Sequence, residues 1–246
     1  MIGIFAKVLQ GEPIKTRLQT KLSRAQAEQF YLASLADTLE TTAEIEPNPT
    51  LFLQGGDNAA AVENLHAQLL ERGLDIKVWE RLRLASQAGR DLGHKLENAF
   101  ESLFRYATHG SCALIIGSDS PSLDTGKLRR GLLYLYEEAE DGSRPDMVLG
   151  PTTDGGYWAI GLRRLMPGLL EDIAWSSDRT LRDTQRRAHH HGLRVQLLDD
   201  WSDVDHPEDL VVLAQQIQEL RSNGDARTAR HTEAFLQELE KARQLG

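Results

Sequence analysis

The chain has 246 residues, of which 40% are hydrophobic and 26% are charged, and its formal net charge is −9. This composition suits one large α/β domain or two small ones with a sizeable core. The acidic balance argues against non-specific binding to nucleic acid or to a membrane surface, although a local basic loop can still hold an anionic small ligand.

The single cysteine, Cys112, excludes an intramolecular disulfide, and a reducing compartment fits best. It begins an apolar run and is expected to be a buried residue of a strand. The first eight residues are too few for the core of a signal peptide, and no apolar run approaches the ~20 residues that a membrane span needs. We therefore expect a cytoplasmic protein without a membrane span.

Short β-type runs alternate with longer helical runs from the first residue onward. The predicted strands cover residues 2–8, 50–53, 76–79, 113–116, 147–149, 157–161 and 195–198. The first predicted helix opens at a capping-box pattern at residues 23–26. The other predicted helices cover residues 59–71, 92–108, 124–140, 177–191, 207–220 and 227–245. This alternation predicts a three-layer α/β/α fold around a mainly parallel, mixed sheet.

The segment 221–225 is the one plausible linker in the sequence. It divides the chain into a core domain over residues 1–220 and a C-terminal helical appendage over residues 221–246. For that last helix we favour a packing or homodimerisation role.

Ligands of parallel α/β sheets lie at the carboxyl ends of the strands, so the loops that follow strands are the first place to look. The loop after the first strand supplies cations, a hydroxyl and a glycine, as a phosphate-binding loop requires: Lys7, Gly11, Lys15, Thr16 and Arg17. It lacks the Gly-Lys pair of a Walker A motif, because Ile14 precedes Lys15. A solvated basic turn is an equally plausible interpretation.

Two acidic segments also follow strands. Asp119 ends a very apolar strand, within Gly117-Ser118-Asp119, where a carboxylate is well placed to hold Mg²⁺; it could alternatively cap a turn. Asp203 and Asp205 lie in the acid-rich segment 199–209, whose later acids also suit the first turn of a helix. Together these three aspartates predict a three-carboxylate metal site.

The loop after the fifth strand contains Asp154, Gly155, Gly156 and Tyr157. Asp-Gly is typical of a tight hairpin turn. The same residues also suit a sugar-like acceptor, with an aromatic ring for stacking and Asp154 as an acceptor of hydroxyl hydrogen bonds. The sequence favours neither interpretation.

Taken together and in this order, the loops resemble the nucleotide-diphospho-sugar transferase superfamily with the GT-A fold. The resemblance is closest to a bacterial glycosyltransferase-like group associated with radical-SAM and selenodomain proteins, and it covers about residues 1–215. The matching pieces are Lys7 with Lys15-Thr16-Arg17, then Gln87-x-Gly89-x-Asp91-Leu92-Gly93, Gly117-Ser118-Asp119-x-Pro121, Gly150-Pro151-x-x-Asp154-Gly155-Gly156-Tyr157, Trp175-Ser176 and Asp203-Val204-Asp205-x-Pro207-Glu208-Asp209-Leu210.

The resemblance implies a role for each piece. Lys7, Lys15 and Arg17 would hold a diphosphate, and the segment 87–93 would line the nucleotide pocket. Asp119 would bind the metal, Mg²⁺ or Mn²⁺, with Asp205 or Asp203 as a second ligand. The segment 154–157 would face the sugar or the acceptor.

Three functions are consistent with these features. The first is a metal-dependent glycosyltransferase that uses a nucleotide sugar and a small-molecule acceptor, with Asp154 as the general base if the reaction inverts the anomeric centre. The second is a nucleotidyltransferase of the guanylyl or cytidylyl type, which would use a nucleoside triphosphate. The third is a non-catalytic nucleotide-binding subunit, because the first loop departs from the family pattern at Leu9 and Gly11.

Overall fold

The computed structural model describes residues 1–11, 13–105, 111–138 and 143–244 as a seven-stranded sheet with helices on both faces. The strands are β1 (Ile2–Lys7), β2 (Thr50–Gln54), β3 (Arg83–Ser86), β4 (Ala113–Ile116), β5 (Met147–Pro151), β6 (Tyr157–Leu162) and β7 (Val195–Leu197). The helices are α1 (Arg24–Ala43), α2 (Ala59–Glu71), α3 (Ile76–Glu80), α4 (Leu92–Arg105), α5 (Thr125–Tyr136), α6 (Thr180–His190), α7 (Asp209–Ser222) and α8 (Arg230–Gln244).

The strand order across the sheet is β3-β2-β1-β4-β6-β5-β7. Only β6 runs antiparallel to its neighbours β4 and β5, while the other pairs are parallel. The parallel strands therefore deliver the loops that follow them to one edge of the sheet. This architecture confirms the predicted α/β fold with a mainly parallel, mixed sheet.

Both faces of the sheet are buried because its strands are apolar on both sides. In β4, Ile116 packs into a core shared with α1, α2 and α5, while its neighbour Ile115 packs on the opposite face against α4. Side chains of successive strand residues point to opposite faces, so an uninterrupted apolar run is what a doubly covered sheet needs. Cys112 is buried, as predicted, but it lies immediately before this strand rather than within it.

The predicted third strand at residues 76–79 is wrong, since this segment forms the short helix α3. Asp75 caps it, because its carboxylate accepts a hydrogen bond from the Lys77 amide at 2.9 Å. The true third strand, β3, follows four residues later and is an exposed edge strand. The four residues Ile-Lys-Val-Trp are too few for their periodicity to separate a strand from a helical turn, and the cap decides between the two.

The other predicted elements are present, with ends that differ by a few residues. The capping box at Ser23 and Gln26 opens α1, and Asp124 caps α5 as predicted. Helix α5 ends at Tyr136 rather than near residue 140. The predicted ends of the helices at 92–108, 124–140 and 227–245 include residues 106–108, 139–140 and 245, which lie outside the described residues.

The two last helices pack against α1 through a third apolar core. It joins Phe30 of α1, Leu213 of α7 and Phe235 of α8, with the rings of Phe30 and Phe235 5.8 Å apart. Helix α8 thus lies on the same body as the sheet, and the division of the chain at residue 220 stays a prediction. Among the described residues, no helix is both long and apolar enough to cross a bilayer.

Candidate functional site

A cavity of about 570 Å³ opens at the carboxyl ends of β1, β2 and β4. Eleven of the residues predicted from sequence line it: Lys7, Lys15, Thr16, Arg17, Gln87, Gly117, Ser118, Asp119, Tyr157, Ser176 and Asp205. Loops from both ends of the chain therefore meet at one edge of the sheet, as the predicted site requires.

Helix α1 fixes two of the loops that build the cavity. The Tyr31 hydroxyl accepts a hydrogen bond from the Lys7 amide at 2.7 Å and donates one to the Lys7 carbonyl at 2.8 Å. One turn along the helix, the Ser34 hydroxyl donates to the Ser118 carbonyl at 2.6 Å. These contacts clamp the ends of β1 and β4 to the same helix.

The acidic segment joins the same edge through its backbone. The Val204 amide donates to the Asp119 carbonyl at 2.9 Å, so the loop after β4 and the segment before α7 run side by side. This bond brings the carboxylates of Asp119 and Asp205 to the same place, although the two residues lie 86 positions apart in the chain.

Lys15 lies at the centre of the site. Its ammonium group is 2.6 Å from Asp119 Oδ1 and 3.0 Å from Asp205 Oδ1, and it donates to the Val204 carbonyl at 2.7 Å. The side chain is only 6% exposed, whereas Asp119 is 48% exposed and Asp205 is 34% exposed. Its backbone is left-handed, with φ at 49°, an uncommon conformation for a residue with a Cβ. Arg17 adds a second cation, 3.2 Å from Asp205 Oδ2.

Neighbouring charges shift the pKa values of Lys15 and Asp205. Burial alone would lower the pKa of Lys15, but the charges of Asp119 and Asp205 and their hydrogen bonds raise it above its ordinary value. Burial would raise the pKa of Asp205, yet the ammonium of Lys15 and the guanidinium of Arg17 hold it below its usual range. Lys15 and Asp205 are therefore both charged at neutral pH.

Asp203 has a different environment from Asp119 and Asp205. Burial, followed by the negative charges of Asp154 and Asp205, raises the pKa of Asp203 to about 6. Asp203 does not line the cavity, and across the described residues no three histidine, cysteine or acidic side chains are grouped so as to hold a metal ion. The structure thus brings together two of the three aspartates predicted as metal ligands.

The Asp-Gly-Gly segment forms the tight turn between the antiparallel strands β5 and β6. The Asp154 carboxylate accepts hydrogen bonds from the Thr152 hydroxyl at 2.5 Å and from the Gly156 amide at 3.0 Å. Gly155 has φ at 86°, and a Cβ there would collide with the Asp178 carbonyl. The hairpin interpretation is confirmed, while Tyr157 extends from the turn to line the cavity.

The segment 87–93 is held by side-chain contacts with the sheet edge and with α4. Gln87 donates both amide hydrogens, to the Ala6 and Phe52 carbonyls at 2.9 Å each, and so links β1 to β2. Asp91 accepts from the His94 amide at 2.9 Å, which caps the first turn of α4. Gly93 allows close packing, since a Cβ there would lie 2.8 Å from Trp175 Nε1.

Nine predicted site residues do not line the cavity: Gly11, Gly89, Asp91, Gly93, Asp154, Gly155, Gly156, Trp175 and Asp203. Most of them shape the loops that border it. Sequence reasoning missed Tyr31 and Ser34 as clamps and Lys95 as a further cation of the lining. The two clamps could have been found from the sequence, because a tyrosine and a serine lie one turn apart on an otherwise apolar helix face.

Sequence comparison assigns the chain to a protein family. A sequence-family model whose description reads "Uncharacterized protein conserved in bacteria (DUF2064)" matches residues 35–177. No curated protein matches the chain significantly.

Several solved structures share the fold. A protein of Desulfovibrio desulfuricans G20, provisionally assigned as a nucleotide-diphospho-sugar transferase, is 26% identical, with a TM-score of 0.78 over 98% of this chain and 94% of that chain. A 4-diphosphocytidyl-2C-methyl-D-erythritol synthase is 12% identical, with a TM-score of 0.53 over 88% and 97% of the two chains. The corresponding synthase of Anaerococcus prevotii DSM 20548 is 11% identical, with a TM-score of 0.51 over 89% and 96%.

Proposed function

The chain belongs to the DUF2064 family of bacterial proteins within the nucleotide-diphospho-sugar transferase superfamily, and from that premise we propose that it is a metal-dependent glycosyltransferase. Its donor would be a nucleotide sugar and its acceptor a small molecule.

One observation carries the proposal: the cluster of Lys15, Asp119 and Asp205 at the carboxyl edge of the sheet. It combines a phosphate-binding cation with two carboxylates in a single cavity, and Lys7 and Arg17 add further positive charge to the lining. A diphosphate needs cations for its oxygens, and a divalent cation needs carboxylates on its other side. The cluster offers both within one cavity.

The residues present fit a divalent cation. Asp119 and Asp205 already flank one positive group, the Lys15 ammonium, and hard oxygen donors of this kind suit Mg²⁺ or Mn²⁺. Mg²⁺ usually takes one or two carboxylates and completes its coordination with phosphate oxygens and water. Asp119 and Asp205 would hold the ion, which would act as a Lewis acid toward the diphosphate.

The chain's own cations would stabilise the leaving group. As the bond to the sugar breaks, negative charge grows on the nucleoside diphosphate, and Lys7, Lys15 and Arg17 would face it. Fixed charges aimed at such developing charge are usually the largest catalytic contribution, and one contact is worth ~3 kcal/mol of barrier. Tyr157 would border the sugar side of the cavity.

Asp154 is the proposed base if the reaction inverts the anomeric centre. The variant Asp154→Asn keeps an oxygen that can accept from Thr152 and Gly156, so the turn is preserved while the basicity is lost. Loss of a general base lowers turnover by about 10²–10⁴-fold. If Asp154→Asn turns over at the wild-type rate with an unchanged melting temperature, Asp154 acts in the turn alone.

Nucleotidyl transfer is the second candidate function. The observation that favours it is Lys95, a fourth cation in the cavity lining beside Lys7, Lys15 and Arg17. Four cations suit a triphosphate better than a diphosphate. The acceptor would attack the α-phosphate of the nucleoside triphosphate and pyrophosphate would leave.

A thermal-shift panel followed by product analysis tests these functions. The panel contains nucleotide sugars and nucleoside triphosphates of each base, with Mn²⁺ and then with a chelator. A ligand at 100 times its Kd stabilises the folded protein by ~2.7 kcal/mol, which is easily measured. Release of a nucleoside diphosphate from the best donor supports glycosyl transfer, and release of pyrophosphate supports nucleotidyl transfer. Binding without turnover of any donor would instead support a non-catalytic nucleotide-binding subunit.

A further inference from the structure

The Lys15 ammonium lies between the two carboxylates that we propose as ligands of the divalent cation. Lys15 Nζ lies 2.6 Å from one carboxylate and 3.0 Å from the other, and its third contact is the Val204 carbonyl at 2.7 Å. The three donors of an ammonium group are thereby matched with three oxygens. Together, Lys15 and Arg17 balance the charges of Asp119 and Asp205 from within the chain.

We propose that Lys15 is an internal counter-ion that must leave Asp119 and Asp205 before a divalent cation can bind them, so that the cation and a phosphate ligand bind cooperatively. The inference rests on the proposed function for the identity of the phosphate ligand. Its physical content is a competition between two cations for one pair of carboxylates.

The competition follows from charge and space. Two cations cannot share Asp119 and Asp205 at hydrogen-bond distance without strong repulsion, because positive groups a few ångströms apart repel where little water intervenes. Lys15 is 6% exposed and cannot simply swing into bulk solvent without losing all three of its oxygen contacts. A metal ion arriving alone would therefore leave a buried ammonium without a partner, which is costly.

A phosphate ligand removes that cost. Lys15 lines the cavity together with Lys7 and Arg17, so a diphosphate bound there offers its ammonium new oxygens within the same space. The carboxylates are then free for the metal ion, which can also bind the phosphate. The left-handed backbone of Lys15 fits a residue held in place by its side-chain contacts, and such conformations concentrate at ligand clamps and switches.

The test measures Mn²⁺ binding by the electron paramagnetic resonance of free Mn²⁺, with the wild type and Lys15→Met, in the absence and presence of pyrophosphate. A protein-free titration gives the Mn²⁺ held by pyrophosphate itself. We expect Lys15→Met to bind Mn²⁺ alone about tenfold more tightly than the wild type, within the range typical of coupling between sites. Pyrophosphate should tighten Mn²⁺ binding to the wild type by a similar factor and have little such effect on the variant.

Lys95→Met is the matched control, because Lys95 lines the same cavity but its ammonium contacts Gln54 Oε1, at 3.4 Å, rather than a carboxylate. It should bind Mn²⁺ alone as the wild type does. If Lys15→Met does not fold, Lys15→Gln removes the charge while keeping a polar side chain of similar length.

Equal Mn²⁺ affinities of the wild type and the Lys15 variant without pyrophosphate would overturn the inference. So would tighter binding by the variant combined with no effect of pyrophosphate on the wild type, since Lys15 would then block the metal without being released. The proposed transferase function is tested separately, by the thermal shift with nucleotide donors. If no donor binds, the Mn²⁺ affinities of the wild type and the Lys15 variant can still be compared.

Discussion

Two regions of the molecule join distant parts of the chain through buried charges, but they differ in access. In the cavity, Lys15 contacts Asp205 across 190 positions of sequence, and both carboxylates that it holds remain partly exposed. Between α1 and α8, Asp37 contacts Thr232 across 195 positions, and it is only 2% exposed. An aspartate bonded to a distant part of the chain is thus accessible to ligands in the cavity, the open region, and inaccessible between α1 and α8, the sealed region.

The sealed region fastens the last helix. Asp37 accepts hydrogen bonds from the His231 amide at 2.9 Å and the Thr232 amide at 2.8 Å. These amides belong to the first turn of α8 and therefore have no acceptor within the helix itself. Beside it, Arg230 forms a bidentate pair with Glu40 at 2.6 and 2.7 Å. Every oxygen of Asp37 faces a fixed backbone group, so this cluster stabilises the fold. In the cavity the partner is the Lys15 side chain, which we propose is displaced when ligands bind.

The largest expected effect is on stability, in the sealed region. Asp37→Ala leaves two buried amides and the adjacent charges without their partner, so we expect it to lower the free energy of unfolding by about 3–5 kcal/mol. Turnover per folded molecule should not change. Urea unfolding measures the effect, with the exposed Asp57→Ala as control. A loss below 1 kcal/mol would show that the two regions do not differ in this way.

The open region should give the opposite result. Asp119→Asn is expected to lower turnover by about 10²–10³-fold, or ~3–4 kcal/mol of barrier, because the variant weakens binding of the metal ion that would stabilise the leaving group. The Lys15 ammonium keeps its contact with Asp205, and an amide oxygen takes the place of the Asp119 carboxylate, so the melting temperature should fall far less than in Asp37→Ala. The control is Asp199→Asn, whose carboxylate pairs with Arg130 on the surface. Unfolding of Asp119→Asn would contradict the assignment of this aspartate to function.

Gln87, although it lines the cavity, is expected to contribute to stability as the residues of the sealed region do. Both of its amide hydrogens bond to the Ala6 and Phe52 carbonyls. We expect Gln87→Ala to cost roughly 1–3 kcal/mol of stability, because it leaves these two acceptors unpaired. Gln10→Ala is the control, since Gln10 makes one long, exposed hydrogen bond of 3.4 Å to Gly55. An unchanged stability with a weakened nucleotide affinity would place Gln87 with the ligand-binding groups instead.

The smallest effect concerns pH and Asp203. The folded-state pKa of about 6 lies above the ordinary value of 3.8, so ionised Asp203 destabilises the fold above pH 6, and this cost disappears as the pH falls from 6 toward 4. Asp203→Asn should therefore stabilise the protein at pH 7.5 by on the order of 1 kcal/mol, less than two full pKa units would give, because solvent reaches part of the side chain.

Glu40 provides the opposite case for the pH comparison. Burial would raise the pKa of Glu40, but the hydrogen bonds and charges of Arg230 and His231 together lower it to about 2, below the ordinary 4.5. The contribution of Glu40 to stability is therefore present at neutral pH and is lost as the pH falls toward 2. The stability difference between the wild type and Glu40→Gln should shrink on acidification from pH 5 to pH 2. Equal pH profiles for the wild type, Asp203→Asn and Glu40→Gln would contradict both assignments.

The sequence by itself determined the layered fold. The apolar run 113–116, in a chain where such runs alternate with helical segments, predicts a strand covered on both sides, and the caps at Ser23 and Asp124 set where their helices begin. These signals are local: each depends on residues a few positions apart, so they can be read without knowing the tertiary structure. The same reasoning placed Lys15, Asp119 and Asp205 after strands, and therefore at the same sheet edge.

Tertiary structure alone decided which groups pair. Sequence could not show that the Lys15 ammonium lies between Asp119 and Asp205, or that Asp203 is close enough to Asp154 and Asp205 for their charges to raise its pKa. Nor could it show that Asp37 caps a helix almost two hundred residues away, or that residues 76–79 are helical. Periodicity records which face of an element is buried, whereas the partner of a charged side chain depends on how separate elements pack.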